Sequence, residues 1–97
     1  MSVLVVLEAI AKEDCVDAFK QYLKERLPET RAFAGCQSQA AYVGVDDPRS
    51  IVFVERWESR AAHEAYLAWR RDTGARTTFA SMLDGAPAVR YFEVLDA

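Results

Sequence analysis

The chain is 97 residues long, enough for one domain spanning 1–97 with a modest core. Its 52% hydrophobic and 28% charged residues exclude disorder. A net charge of −3 argues against a nucleic-acid partner, because a phosphate-binding surface needs a net basic face.

The short basic cluster Arg70, Arg71, Arg76 reads as the solvated end of a helix, where cations complement the helix dipole. Cys15 and Cys36 lack CxxC spacing, and with a single histidine they make no usual zinc site. The opening MSVLVVLEAIAKED has no basic segment, and its apolar run is broken by Glu8. It is expected to be neither a signal peptide nor a membrane span, so the reading is a cytoplasmic protein with reduced thiols and no membrane partner.

In chain order, Ser2 to Ala11 reads as strand β1, apolar on both alternating faces. Glu13-Asp14 starts helix α1, whose stripe is Val16, Phe19, Leu23 and Leu27. Pro28 either ends or kinks it, or begins a short continuation through Phe33 that Gly35 closes. Cys36 to Val45 reads as β2, and Asp46-Asp47-Pro48-Arg49 as a hairpin turn into β3, Ile51 to Trp57. Ser59 caps helix α2, Arg60 to about Arg71, which Asp72-Thr73-Gly74 breaks. Thr77 to Leu83 reads as a short helix α3, and Ala88 to Leu95 as β4.

The order β-α-β-β-α-(α)-β is the α+β, ferredoxin-like split βαβ arrangement: an antiparallel sheet with helices on one face. Two main helices cover only one side, yet β1 and β3 are apolar on both. A strand with a solvated face should alternate. The economical second layer is another copy of the chain, so a two-fold homodimer packed sheet to sheet is expected.

Gly35-Cys36 opening β2, Asp47-Pro48 in the hairpin and Glu55-Arg56-Trp57-Glu58-Ser59 before α2 follow an apolar first strand and a proline-ended helix. This ordered set, which extends over essentially the whole chain, resembles the antibiotic biosynthesis monooxygenase family. The resemblance implies a dimeric α+β barrel. It also implies a cofactor-independent monooxygenase, without metal or flavin, that acts on quinols or aromatic polyketides with dioxygen. Other members of the family degrade haem through an Asn-Trp-His constellation; this chain contains no asparagine, which argues against that activity.

Oxygenation without a cofactor needs an electron-rich substrate that ionises, a dry pocket, a proton acceptor and hydrogen-bond donors. Two residues are placed at the centre of this chemistry. Trp57 could stack a planar substrate and donate its indole N–H, or it packs helix on sheet. His63 is the only side chain with an ordinary pKa near neutrality, hence the natural proton acceptor, or else a helix-edge histidine. Tyr66 stands where many relatives carry histidine, and either donates a phenolic hydrogen bond or fills core.

Phe33, Phe79 and Met82 are candidate apolar walls, or core. Tyr42 and Arg90 are weaker polar candidates, as are Gln37, Gln39 and Tyr91. Arg90 needs an anionic partner: substrate, Glu93 or Glu55, with a surface ion pair as the default. No nucleophile elbow, glycine-rich phosphate loop or dinucleotide fingerprint is present. A ligand-binding or structural dimer that has lost the chemistry, and an isomerase of small carbonyl compounds, are the alternative functions.

Overall fold

The computed structural model describes residues 2–95. Its elements are β1 (Val3–Ile10), α1 (Val16–Ala32), β2 (Cys36–Val43), β3 (Ser50–Trp57), α2 (Arg60–Asp72), α3 (Ala75–Ser81) and β4 (Ala88–Phe92). The four strands form one antiparallel sheet in the order β2-β3-β1-β4, the split βαβ topology expected from the sequence.

Register decides which residues face the helices. Val5 opposes Glu55 and Leu7 opposes Phe53 across β1 and β3, while Gln39 opposes Glu55 across β2 and β3. Along β3 every second residue is buried: Ile51, Phe53, Glu55 and Trp57. Side chains two apart share a face, so these four project toward the helices. Phe19 and Leu23 of α1 close over Ala9, Ile51 and Phe53, and Leu83 completes that core. The opposite face carries Leu4, Val6, Val52, Val54, Tyr42 and Phe92, none of them fully buried.

Several boundaries differ from expectation. Helix α1 runs unbroken through Pro28 to Ala32, giving up only the hydrogen bond that a proline N–H cannot donate to the Lys24 carbonyl. It begins at Val16 after Cys15, which supplies no side-chain cap. Strand β2 stops at Val43, because Gly44 N–H already turns to the Ser50 carbonyl at 2.8 Å to close the hairpin. Helix α3 starts at Ala75, directly after Gly74 takes a left-handed φ of 79°. Strand β4 ends at Phe92, opposite Leu4, where β1 has almost run out of partners.

Local chemistry sets the entry to α2. Ser59 Oγ accepts the Ala62 N–H at 3.0 Å, the expected N-cap. That cap fixes the first turn, so His63 points down onto the β3 residues Glu55 and Trp57. Among the described residues, no helix is long and apolar enough to cross a membrane.

Candidate functional site

A cavity of about 530 Å³ lies between the sheet and the three helices. Its wall is largely apolar, with Leu7, Leu27, Phe53, Leu67, Phe79 and Val89 among its contributors. A buried carboxyl and a buried imidazole open into it: Glu55 from β3, 6% exposed, and His63 from α2, 2% exposed.

Glu55 is a carboxyl on the core face of a strand, and burial raises its pKa above the ordinary carboxylate value. The Trp57 indole N–H and the nearby Gln39 amide act in the opposite direction. Trp57 Nε1 donates to Glu55 Oε1 at 2.9 Å. Gln39 faces the same carboxyl from the neighbouring strand, but its buried amide makes no hydrogen bond of ordinary geometry. Its influence on Glu55 is therefore that of a nearby dipole rather than a formed bond.

Burial pushes the His63 imidazole down to about 4, opposed in part by Glu64, so it is neutral at pH 7. Its Nδ1 lies 2.7 Å from the Tyr91 hydroxyl, and its Nε2 3.8 Å from Glu55 Oε1. Neutral imidazole carries one donor and one acceptor nitrogen, so the Tyr91 bond selects the tautomer. If Nδ1 donates to Tyr91, the Nε2 lone pair is the one turned toward Glu55. If Tyr91 donates, Nε2 carries the proton. Glu55, His63 and Tyr91 thus form a short titratable chain, with Trp57 edge-on to His63 at 5.3 Å between ring centroids.

A second polar network braces the cavity's far side. Tyr66 Oη lies 2.6 Å from Thr30 Oγ1 and accepts from Arg70 Nε at 2.9 Å. The same guanidinium reaches Glu29 at 3.2 Å, the Arg26 carbonyl at 3.1 Å and Thr30 Oγ1 at 3.2 Å. Arg70 therefore ties α2 to α1, a task for which its planar fork of donors suits it. Burial raises the Tyr66 phenol, which stays protonated at neutral pH.

The structure brings His63, Tyr66 and Phe79 together on the cavity. The other sequence candidates lie elsewhere. Trp57 is fully buried, and its N–H is taken by Glu55, so it stands behind the cavity wall rather than stacking on a ligand. Phe33 packs against Tyr66 and Trp69, at 5.4 and 5.3 Å, and does not reach the cavity. Met82 packs on the core cluster. Tyr42 and Arg90 sit on the opposite face of the sheet, Tyr42 58% exposed and Arg90 paired with Glu8 at 2.9 Å. The partner of Arg90 is thus neither Glu93 nor Glu55.

The sequence carries a signal for Glu55 beyond its place as a candidate partner of Arg90: a carboxylate in phase with Ile51, Phe53 and Trp57 must face the core. Arg70, expected at a solvated helix end, is buried instead. Among the described residues, no three His, Cys, Asp or Glu side chains cluster as metal ligands.

The split βαβ sheet with its helices on one face, closed over an apolar cavity, places the chain among the small ferredoxin-like α+β domains. The family model described as antibiotic biosynthesis monooxygenase matches residues 2–79, and the chain belongs to that family. The fold recurs in the structure of Rv0793 from Mycobacterium tuberculosis, 26% identical, with a TM-score of 0.86 over 100% of this chain and 98% of that one. It recurs too in SnoaB, a cofactor-independent oxygenase from Streptomyces nogalater, 14% identical, with a TM-score of 0.83 over 99% and 95% of the two chains. A crystal structure of an antibiotic biosynthesis monooxygenase, 21% identical, gives a TM-score of 0.87 over 97% and 99%. At these identities the latter two establish the fold alone. No curated protein matches the sequence.

Proposed function

We propose that this protein is a cofactor-independent monooxygenase that oxidises a quinol or related aromatic substrate in the cavity between sheet and helices, as a homodimer. One observation carries the reading: a largely apolar cavity of about 530 Å³ into which the Glu55–His63 pair opens. An apolar wall suits a planar aromatic, and the pair supplies the proton acceptor that its ionisation requires.

Burial moves the acid up and the imidazole down. Burial thus favours the uncharged form of each, and the two stand 3.8 Å apart at the cavity, where either can accept a proton from a bound substrate. In the forward step the pair takes a proton from the substrate's phenolic or activated methylene group, leaving a delocalised carbanion or phenolate. That anion reduces dioxygen, a C–O bond forms, and the O–O bond breaks as the pair returns its proton. For an anthrone, the ring methylene and one molecule of dioxygen give a ring ketone and one molecule of water. All four electrons that reduce dioxygen come from the substrate carbon, and one oxygen atom leaves as water. Tyr91 holds His63 in place, and Trp57 fixes the Glu55 carboxyl.

The test is oxygen uptake with a panel of hydroquinones, dihydroxynaphthalenes and anthrones. Glu55→Gln and His63→Gln should each lower kcat by about 10²–10⁴-fold, the usual worth of a positioned acid–base group. Activity that survives both substitutions moves the chemistry away from this corner. Absence of turnover across the panel sinks the oxygenase reading and leaves a ligand-binding dimer.

A further inference from the structure

Apart from one carboxyl, the charged side chains that line the cavity are all cationic. Arg26 from α1, Arg70 and Arg71 from α2 and Arg76 from α3 line it, against the single carboxyl of Glu55, which burial pushes toward its neutral form. This stands in a chain whose net charge is −3, so the cationic lining is local and opposes the overall charge. Two of the four are already engaged within the protein: Arg70 in its clasp on Glu29 and Thr30, Arg71 with Asp72 at 3.3 Å. Arg26 and Arg76 are not. Among the described residues neither takes part in an ion pair, and Arg26 only leans on the Tyr22 ring, 5.3 Å from its centroid.

The helix dipole does not account for the position of Arg76. Arg76 lies in the first turn of α3, the end at which the helix dipole disfavours a cation, and Arg26 lies within α1. A free guanidinium at the mouth of an apolar cleft focuses potential on anions and offers paired N–H donors that match a carboxylate.

Spacing gives the polarity of the cavity a direction. His63 sits near the start of α2 and Arg71 near its end, eight residues apart, or about 12 Å along a helix rising 1.5 Å per residue. The Arg26 carbonyl accepts from Arg70 at 3.1 Å, and Tyr22, one turn before Arg26, donates to the carbonyl of Ala75, the neighbour of Arg76, at 3.2 Å, so Arg26 and Arg76 stand at the end of the cavity where α2 finishes, away from the acid–imidazole pair at its start. We infer that the cavity selects an aromatic carrying a permanent carboxylate, seated with its hydroxyl toward Glu55 and His63 and its carboxylate held by Arg26 and Arg76. The inference rests on the proposed reading that an aromatic occupies this cavity, and it narrows that reading to hydroxyaryl carboxylates.

The test uses two probes that share one ring system, 2-naphthol and 6-hydroxy-2-naphthoate, titrated calorimetrically into the wild-type protein and the Arg26→Gln/Arg76→Gln double variant. The expected result is at least tenfold tighter binding of the naphthoate by wild type, weakened by added salt. That preference should be lost in the double variant, with naphthol affinity unchanged, and partly restored by Arg26→Lys/Arg76→Lys. Equal affinity of the two probes, a preference that survives in the double variant, or failure of both probes to bind at millimolar concentration overturns it. Oxygen uptake keeps the two proposals apart. A naphthoate preference without turnover of any substrate leaves anion selection standing and removes the oxygenase; turnover of uncharged quinols with no naphthoate preference does the reverse.

Discussion

Trp57 and Glu55 stand two residues apart on one face of β3, and the indole Nε1 donates to the buried carboxylate oxygen at 2.9 Å. The tryptophan's role is set by that bond, since its ring has no exposed surface in the described chain. Trp57→Phe keeps an aromatic in the slot but strands the carboxyl. A buried acceptor left without its donor, together with the lost ring volume, costs about 2–4 kcal/mol of stability. Because the indole N–H holds the Glu55 pKa down, the same change should raise it further. Denaturant unfolding reads the first effect and carboxyl NMR titration the second. An unmoved titration would mean that the bond does not form in solution.

His63 makes stability depend on pH with a definite sign. Its folded pKa lies at about 4 against an ordinary 6.5, so between these values the unfolded chain binds the proton and the folded chain does not. Stability therefore rises with pH across that window and is lost as pH falls through it, by about 3 kcal/mol for a shift of this size in a group so thoroughly buried. Glu55 acts oppositely. Its raised pKa means that the folded state keeps a proton which the unfolded state releases above 4.5, so its contribution declines as pH rises through that region. Urea unfolding between pH 4 and 7 should show a shallower acid limb in His63→Gln than in wild type. Parallel curves would show that His63 keeps its ordinary pKa in the folded state.

How far the sequence discloses this site is visible in single residues. The apolar two-faced pattern of β1 and β3, the Ser59 cap and the Asp47-Pro48 turn are local signals with local causes, and they place the elements correctly. Pro28 misleads because tertiary packing of Leu23 and Thr30 holds α1 together beyond a residue that would break an isolated helix. The site is harder to read because it depends on register. Gln39 and Glu55 meet only through the pairing of β2 with β3, and His63 meets Tyr91 across 28 residues of chain. Arg70 looks like surface until four partners from α1 and α2 close around it.

Gly35 explains why glycine precedes Cys36 at the entry to β2. Its φ is 93°, and a Cβ built there would lie 2.7 Å from the Ala62 Cβ, while its carbonyl accepts the Glu58 N–H at 2.8 Å. The α1–β2 connection and the start of α2 thus meet with no room for a side chain. Gly35→Ala imposes both left-handed strain and a clash, together about 3 kcal/mol. In a domain of this size that corresponds to a drop in Tm of roughly 15 °C, readable by calorimetry. A drop of only a degree or two would show that α2 can shift away from the β2 entry freely.

The uncovered sheet face gives the test of assembly. Val54 sits near the middle of that face, opposite Val6 on β1 and Ala40 on β2, with Tyr42 and Phe92 exposed farther out on it. Its side chain contributes nothing to the helix-side core, so Val54→Asp should leave each chain folded. In a sheet-to-sheet homodimer the same carboxylate would be buried beside its symmetry mate, where an unpaired charge is costly and two like charges are worse. Sedimentation at micromolar concentration should therefore show two copies for wild type and one for Val54→Asp, with the far-ultraviolet spectrum unchanged. A wild-type chain that sediments as a folded monomer would mean that the apolar residues of β1, β3 and β4 on this face tolerate water, and the homodimer would have to be given up.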